Sequence, residues 1–190
     1  MKEFCQKHII RIHWGTILDL AWWPGVDTNI FCQLWAKKVI YHDKYKEYIE
    51  TAKKINQKYT DSIEFHQGDI NEIDYIQNNS IDLIYCNVSF FYSKNDRKLL
   101  KDLEKKLKIW WNIIINTYDI KKFKKQPLYW KILFRLPHIL YRLIGTKIIT
   151  LPYNDTNKLI HSSKSTLNVI YKNTNILDWY YTQLLWRKTS

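Results

Sequence analysis

Apolar positions along the chain follow two rhythms. Short runs rich in β-branched and aromatic residues end in an acid or an amide: Thr16 to Leu20 around Asp19, Val39 to Asp43, Ser62 to Asp69, Ile81 to Asn87 and Asn112 to Thr117. Runs of this length and composition predict strands. Between them lie segments of helical period: about 26 to 36 (Ile30, Phe31, Leu34), 44 to 57 (Tyr48, Ile49, Ala52) and 94 to 108 (Leu99, Leu100, Leu103, Leu107). The last has Lys, Arg, Asp and Glu on its other face, an amphipathic helix. Strands alternating with helices predict an α/β domain around a parallel sheet. The uninterrupted Ile113-Ile114-Ile115 suits a central strand covered on both faces.

Beyond 120 the pattern changes. Residues 121 to 147 alternate Leu and Ile with Lys, Arg and His, and Pro137 should kink or split that helix. The remainder predicts a short helix over 163 to 172 capped by Ser163, a strand near 174 to 178 and a closing strand over 180 to 187. A chain of 190 residues is one domain. Its expected parts are a core over 14–119, a lid and acceptor region over 120–160, and a closing unit over 163–190. Residues 1 to 14 are short and mixed, which suits either a truncated start or an open site.

The first strand and the helix after it organise the rest. In a βαβ unit the loop between them gathers backbone N–H groups and the positive end of the helix, and a nucleotide lies against that loop. Asp27 and Thr28 are the expected caps of this helix. Asp43 closes the second strand at the distance past the loop where a carboxylate accepts from two ribose hydroxyls, though a helix N-cap is an alternative role for it.

These residues resemble class I S-adenosylmethionine-dependent methyltransferases. Asp19 stands as the acid of their first motif, and Ala21, Trp23 and Gly25 stand where the family has alternating glycines. The resemblance implies a doubly wound, mostly parallel seven-stranded sheet with the last strand antiparallel, and S-adenosyl-L-methionine as cofactor. It gives Asp43 to the ribose and Asp69, with Ile70 beside it, to adenine. Asp82 matches an acid within the fourth strand, and Asn87 follows where the chain passes the methionine portion. Phe90, Phe91 and Tyr92 would form an aromatic lip, or simply pack in the core. No residue is nominated as catalytic, since methyl transfer needs mainly positioning and desolvation; Tyr92 and His138 are the nearest candidates. A Rossmann dinucleotide fingerprint would need a different glycine spacing.

Composition adds an anomaly. The chain has nine Trp and four Gly, whereas glycine alone is about 7% of an average protein. Trp23, Trp35, Trp110 and Trp111 all fall where the resemblance expects glycine, and Trp179 and Trp186 read the same way. Together with abundant Lys, Ile, Asn and Tyr, this points to an AT-rich gene whose UGA codons its organism reads as glycine; the alternative is a decayed methyltransferase with genuine tryptophans, although random decay would not aim one residue type at several glycine sites. As written, Trp23 would crowd the cofactor loop.

The charge of +12 favours anionic partners, although the lysines are spread along the whole chain. The second reading is therefore a cofactor-free, methyltransferase-like binding module, holding RNA or an acidic membrane through 121–147. Cys5, Cys32 and Cys86 are too few and too dispersed for a disulfide framework or a zinc site. With no apolar run near ~18 residues and no signal-peptide core, the expectation is a cytoplasmic monomer. The methyl acceptor is not legible.

Overall fold

The structure is a computed structural model that describes residues 12–20, 24–118, 160, 167–173 and 181–189. Its strands are β1 (Thr16–Leu20), β2 (Lys38–Asp43), β3 (Ile63–Gln67), β4 (Ile81–Asn87), β5 (Leu107–Tyr118), β6 (Leu167–Asn173) and β7 (Tyr181–Lys188). Its helices are α1 (Val26–Gln33), α2 (Lys46–Ile55) and α3 (Asp96–Lys106). The strands form one seven-stranded sheet in the order β3-β2-β1-β4-β5-β7-β6. Pairs from β3 through β5 are parallel, and β7 runs antiparallel to both neighbours.

Alternating side chains feed two cores. Ile17, Val39, Tyr41, Leu83, Tyr85 and Ile114 meet Phe31 and Cys32 of α1 and Ile49 and Ala52 of α2. Leu18, Leu20, Ile40, Ile84, Ile113 and Ile115 meet Leu99, Leu100 and Leu103 of α3 on the opposite face. Helices on both faces explain why the central strands read as unbroken apolar runs rather than as alternation.

Connectivity places the working edge. The chain steps outward from β1 to β2 and β3, then returns to β4 on the other side of β1. The crevice at such a reversal, beyond the carboxyl ends of the strands, is where this architecture holds ligands.

The structure corrects several sequence expectations. Residues 167–172, part of the helix expected over 163–172, instead belong to β6 on the edge of β7. Leu167-Asn168-Val169-Ile170-Tyr171 is β-branched and aromatic, and pairing with β7 outweighs the weak helical period. The strand expected at 174–178 and the basic segment 121–147 lie outside the described residues.

Asp27 and Thr28 do not cap α1. The N-cap is Gly25 in a left-handed conformation (φ 79°), with no side-chain cap bond. Asp82 lies at the amino-terminal edge of the sheet, far along β4 from the crevice. It accepts from the Thr16 backbone N–H at 2.8 Å and from Lys108 Nζ at 2.8 and 2.9 Å, tying β1, β4 and β5 together.

β5 also starts earlier than expected. Ile81 pairs with Leu107 but Leu83 pairs with Asn112, so residues 108–111 bulge opposite Asp82. Trp186 is fully buried and is one of the largest side chains of the core.

Candidate functional site

Register sets the site before any side chain does. Leu20, the last residue of β1, pairs with His42 on one side and with Cys86 on the other. Asp43 and Asn87 are therefore the next residues along the two neighbouring strands and flank the exit of β1. Asp69 follows one strand further out, two residues beyond the Asp43–Gln67 pair. Strand spacing of about 4.8 Å brings these carboxyl ends side by side. Ala21 and Trp23, expected in the same loop, lie outside the described residues.

Asp43 is buried at the end of β2. Its Oδ1 accepts the Tyr45 backbone N–H at 2.8 Å, while Oδ2 has the Tyr41 hydroxyl at the long distance of 3.5 Å. Burial pushes this carboxyl up to about 6, against hydrogen bonds from Tyr45, Tyr41 and Lys44. An acceptor held back from ionising gains most from new donors, and two ribose hydroxyls would supply them.

Asp19 is buried one residue short of the end of β1, and its Oδ2 accepts from Thr28 Oγ1 at 2.6 Å. Burial foremost, with the nearby Asp27 and Asp43, raises its carboxyl to about 8 despite the Thr28 bond. It thus ties β1 to the first turns of α1.

Gly25 shows why its position excludes other residues. A Cβ there would stand 2.7 Å from Ala52 Cβ and 2.6 Å from Asn56 Nδ2, and that Nδ2 donates to the Gly25 carbonyl at 2.9 Å. Close packing of α1 on the end of α2 therefore demands this glycine, in addition to the left-handed φ.

Asn87 carries an amide relay. Its Nδ2 donates to Asp27 Oδ2 at 3.0 Å, and its Oδ1 accepts from Asn116 Nδ2 at 3.1 Å. Asn116 Oδ1 is buried with no hydrogen-bond partner. Such an orphaned acceptor, on the residue paired with Asn87 near the carboxyl end of β5, is a polar group that a ligand could satisfy.

Asp69 has a different environment. Its burial acts to raise the carboxyl, but hydrogen bonds from the Asn71 backbone and amide, with the charges of Lys94 and Lys44, outweigh it and hold the group below its usual range. Ile70, next along, is buried in the α3-side core.

Phe90 is fully buried in that core, so at this position packing accounts for the aromatic. Tyr92 packs at the border of the same core. His138 lies outside the described residues.

The sequence reading missed Ser89 and His42. Ser89 Oγ donates to the Leu20 carbonyl at 2.6 Å and so pins the exit of β1 to β4. His42 supports the Asp69 turn through a 3.0 Å contact to the Asp69 carbonyl. The only signal for His42 was a polar residue at an inward strand position.

Five described non-glycine residues have φ in the left-handed region: Trp14 (61°), Trp35 (63°), Asn79 (52°), Val88 (65°) and Trp110 (70°). The three Trp side chains are 69%, 72% and 67% exposed, so packing does not hold them there. Trp111, in contrast, has no left-handed φ and packs against the core.

Comparison with known proteins shows the same fold elsewhere. An S-adenosylmethionine-dependent methyltransferase from Mesorhizobium loti superimposes with a TM-score of 0.73 at 11% identity, over 98% of this chain and 96% of that one. The N-methyltransferase NodS from Bradyrhizobium japonicum WM9, solved with S-adenosyl-L-homocysteine, gives 0.68 at 12% identity, over 100% and 88%. The [4+2]-cyclase SpnF gives 0.71 at 10% identity, over 99% and 80%. At these identities the likeness is one of fold, and a fold hosts more than one chemistry.

No curated protein matches the chain in sequence. A family model described as a methyltransferase domain matches residues 15–178. The chain therefore belongs to the methyltransferase domain family, built on the class I S-adenosylmethionine-dependent fold.

Proposed function

We propose that the protein binds S-adenosyl-L-methionine across the carboxyl ends of β1, β2 and β4 and transfers its methyl group to a nucleophile on an acceptor entering beside β4 and β5. The observation that carries this reading is Asp43, a buried carboxylate one residue past the partner of Leu20, whose Oδ2 has, among the described residues, only the long 3.5 Å bond from Tyr41. Asp43 would take the ribose hydroxyls and Asp69 the adenine amine. Asn87 and Asp27, already joined, would face the amino-acid end. When bound, the sulfonium supplies a methyl group by in-line displacement, with the thioether as leaving group. The protein's part is then alignment and exclusion of water.

Calorimetry with S-adenosylhomocysteine tests the reading. The protein should bind it, and Asp43→Ala should abolish the binding while leaving the fold intact. Equal binding by both would remove Asp43 from the site. The alternative of a cofactor-free module rests on 121–147, and no feature of the described residues favours it. Among the described residues no helix is long and apolar enough to cross a membrane.

We also propose that positions 14, 35 and 110 carry glycine in the cellular protein. A left-handed φ costs an L residue roughly 1–2 kcal/mol, glycine almost nothing. Three of the five described non-glycine residues that bear this strain are Trp, all with their rings in solvent. Peptide mass spectrometry of protein from its native source should find glycine at these three positions. Intact tryptophan at 35 and 110 would refute the proposal.

A further inference from the structure

The turn Gly68-Asp69-Ile70 rests on a buried imidazole. His42 is the residue before Asp43 in β2, so its side chain lies on the opposite face of the sheet. Its Nε2 is 3.0 Å from the Asp69 carbonyl oxygen and its Nδ1 is 2.8 Å from the Tyr75 hydroxyl. A carbonyl oxygen only accepts, so Nε2 carries the proton and Nδ1 accepts from Tyr75. The carbonyl thereby fixes the tautomer, and the Tyr75 hydroxyl anchors the ring by donating to its other nitrogen.

The support is packed as well as bonded. The Tyr75 ring is stacked nearly parallel to His42 (9°, centroids 5.7 Å apart) and to His66 (19°, 3.9 Å). Gly68 lies directly against the imidazole, since a Cβ there would stand 3.0 Å from His42 Cε1. The Gly68 N–H donates to the Asp43 carbonyl at 3.0 Å, so the same turn is joined to the end of β2.

Among the described residues, Asp69 has one carboxylate oxygen whose partner is only a long ion pair. Its backbone N–H donates to Glu72 Oε2 at 3.1 Å, and its Oδ1 accepts from both the backbone and the side chain of Asn71. Only Oδ2 is turned toward the end of β2, 3.9 Å from Lys44 Nζ.

We propose that His42, locked by Tyr75, is a positioning residue for base selection: it holds the Asp69 main chain so that Oδ2 accepts the exocyclic amine of adenine and the site rejects a 6-keto purine. This rests on the methyltransferase reading above and extends it to two residues outside the expected cofactor set. Removing the Tyr75 hydroxyl leaves Nδ1 without its donor and the imidazole with one anchor fewer, which loosens Asp69 while leaving Asp43 and the ribose contacts in place.

The test compares S-adenosylhomocysteine with S-inosylhomocysteine, which carries a keto oxygen in place of the amine, by calorimetry on four proteins. The parent should prefer the adenosyl ligand. Tyr75→Phe keeps the stacked ring and should lose about tenfold in affinity for the adenosyl ligand, the size of one good hydrogen bond, with inosyl affinity unchanged. His42→Leu should behave likewise, whereas His42→Gln, whose amide places a donor near the Nε2 position, should recover most of the preference.

Nitrogen NMR of the parent should show His42 as the Nε2–H tautomer, with the Nδ1 resonance moved downfield in Tyr75→Phe as its hydrogen bond is lost. Equal losses for both ligands, or none, would overturn the positioning role and leave the methyltransferase reading standing. Failure of the parent to bind either ligand would overturn that reading, and this proposal with it.

Discussion

The backbone N–H of Trp14 donates to the carbonyl of Trp35 at 2.8 Å, and both residues hold a left-handed φ. The bond closes the entry to β1 against the exit of α1, so the backbone geometry is required whatever the side chain. Trp35→Gly should therefore stabilise the chain by about 1 kcal/mol, by releasing left-handed strain. Trp35→Ala should not, because alanine keeps the Cβ that creates the strain. Urea denaturation of the two variants separates a demand for glycine from the mere removal of an exposed indole.

Asp43 makes cofactor affinity depend on pH in a defined direction. Its carboxyl is raised by burial to about 6, and donors from a ribose favour the ionised form. Affinity for S-adenosylhomocysteine should rise as pH passes upward through about 6, with protons released on binding in that window. Calorimetry in buffers of different ionisation enthalpy reads the released protons directly. Asp43→Asn should remove this dependence together with most of the affinity.

Asp19 sets a stability trend of its own. Its folded value is raised from 3.8 to about 8, chiefly by burial, so the folded state holds a proton that the unfolded chain gives up near 3.8. The carboxyl's contribution is complete below that value and is lost as pH climbs toward about 8. Asp19→Asn keeps an acceptor for Thr28 and cannot ionise. It should match the parent near pH 4 and exceed it at pH 8, as read from denaturation midpoints at each pH. Asp43, raised in the same sense, should leave a smaller residual slope.

Lys188 tests the far edge of the sheet. Its buried ammonium donates to Asn79 Oδ1 at 3.0 Å and to the carbonyls of Glu104 and Leu107 at 3.2 and 2.9 Å. Those bonds close the turn before β4 and the α3–β5 junction onto β7. Lys188→Met retains the apolar stem but strands three acceptors, and should cost about 3 kcal/mol of stability. Cofactor affinity should be unchanged, since these groups lie at the opposite end of the strands from Asp43.

Residue order alone determined the alternation of strands and helices, the parallel core and the acids at its carboxyl ends, because inward-facing apolar runs have a period that pairing cannot change. Asp43 and Asp69 were legible because each ends such a run. The sense of β6 was not, since a short mixed segment takes the conformation of its partner. Only the tertiary structure decided that Gly25 is demanded by Ala52 and Asn56 and that Asp82 braces the remote edge. Each of those depends on atoms brought together from distant positions, where burial and hydrogen-bond geometry, not local sequence, set the energy.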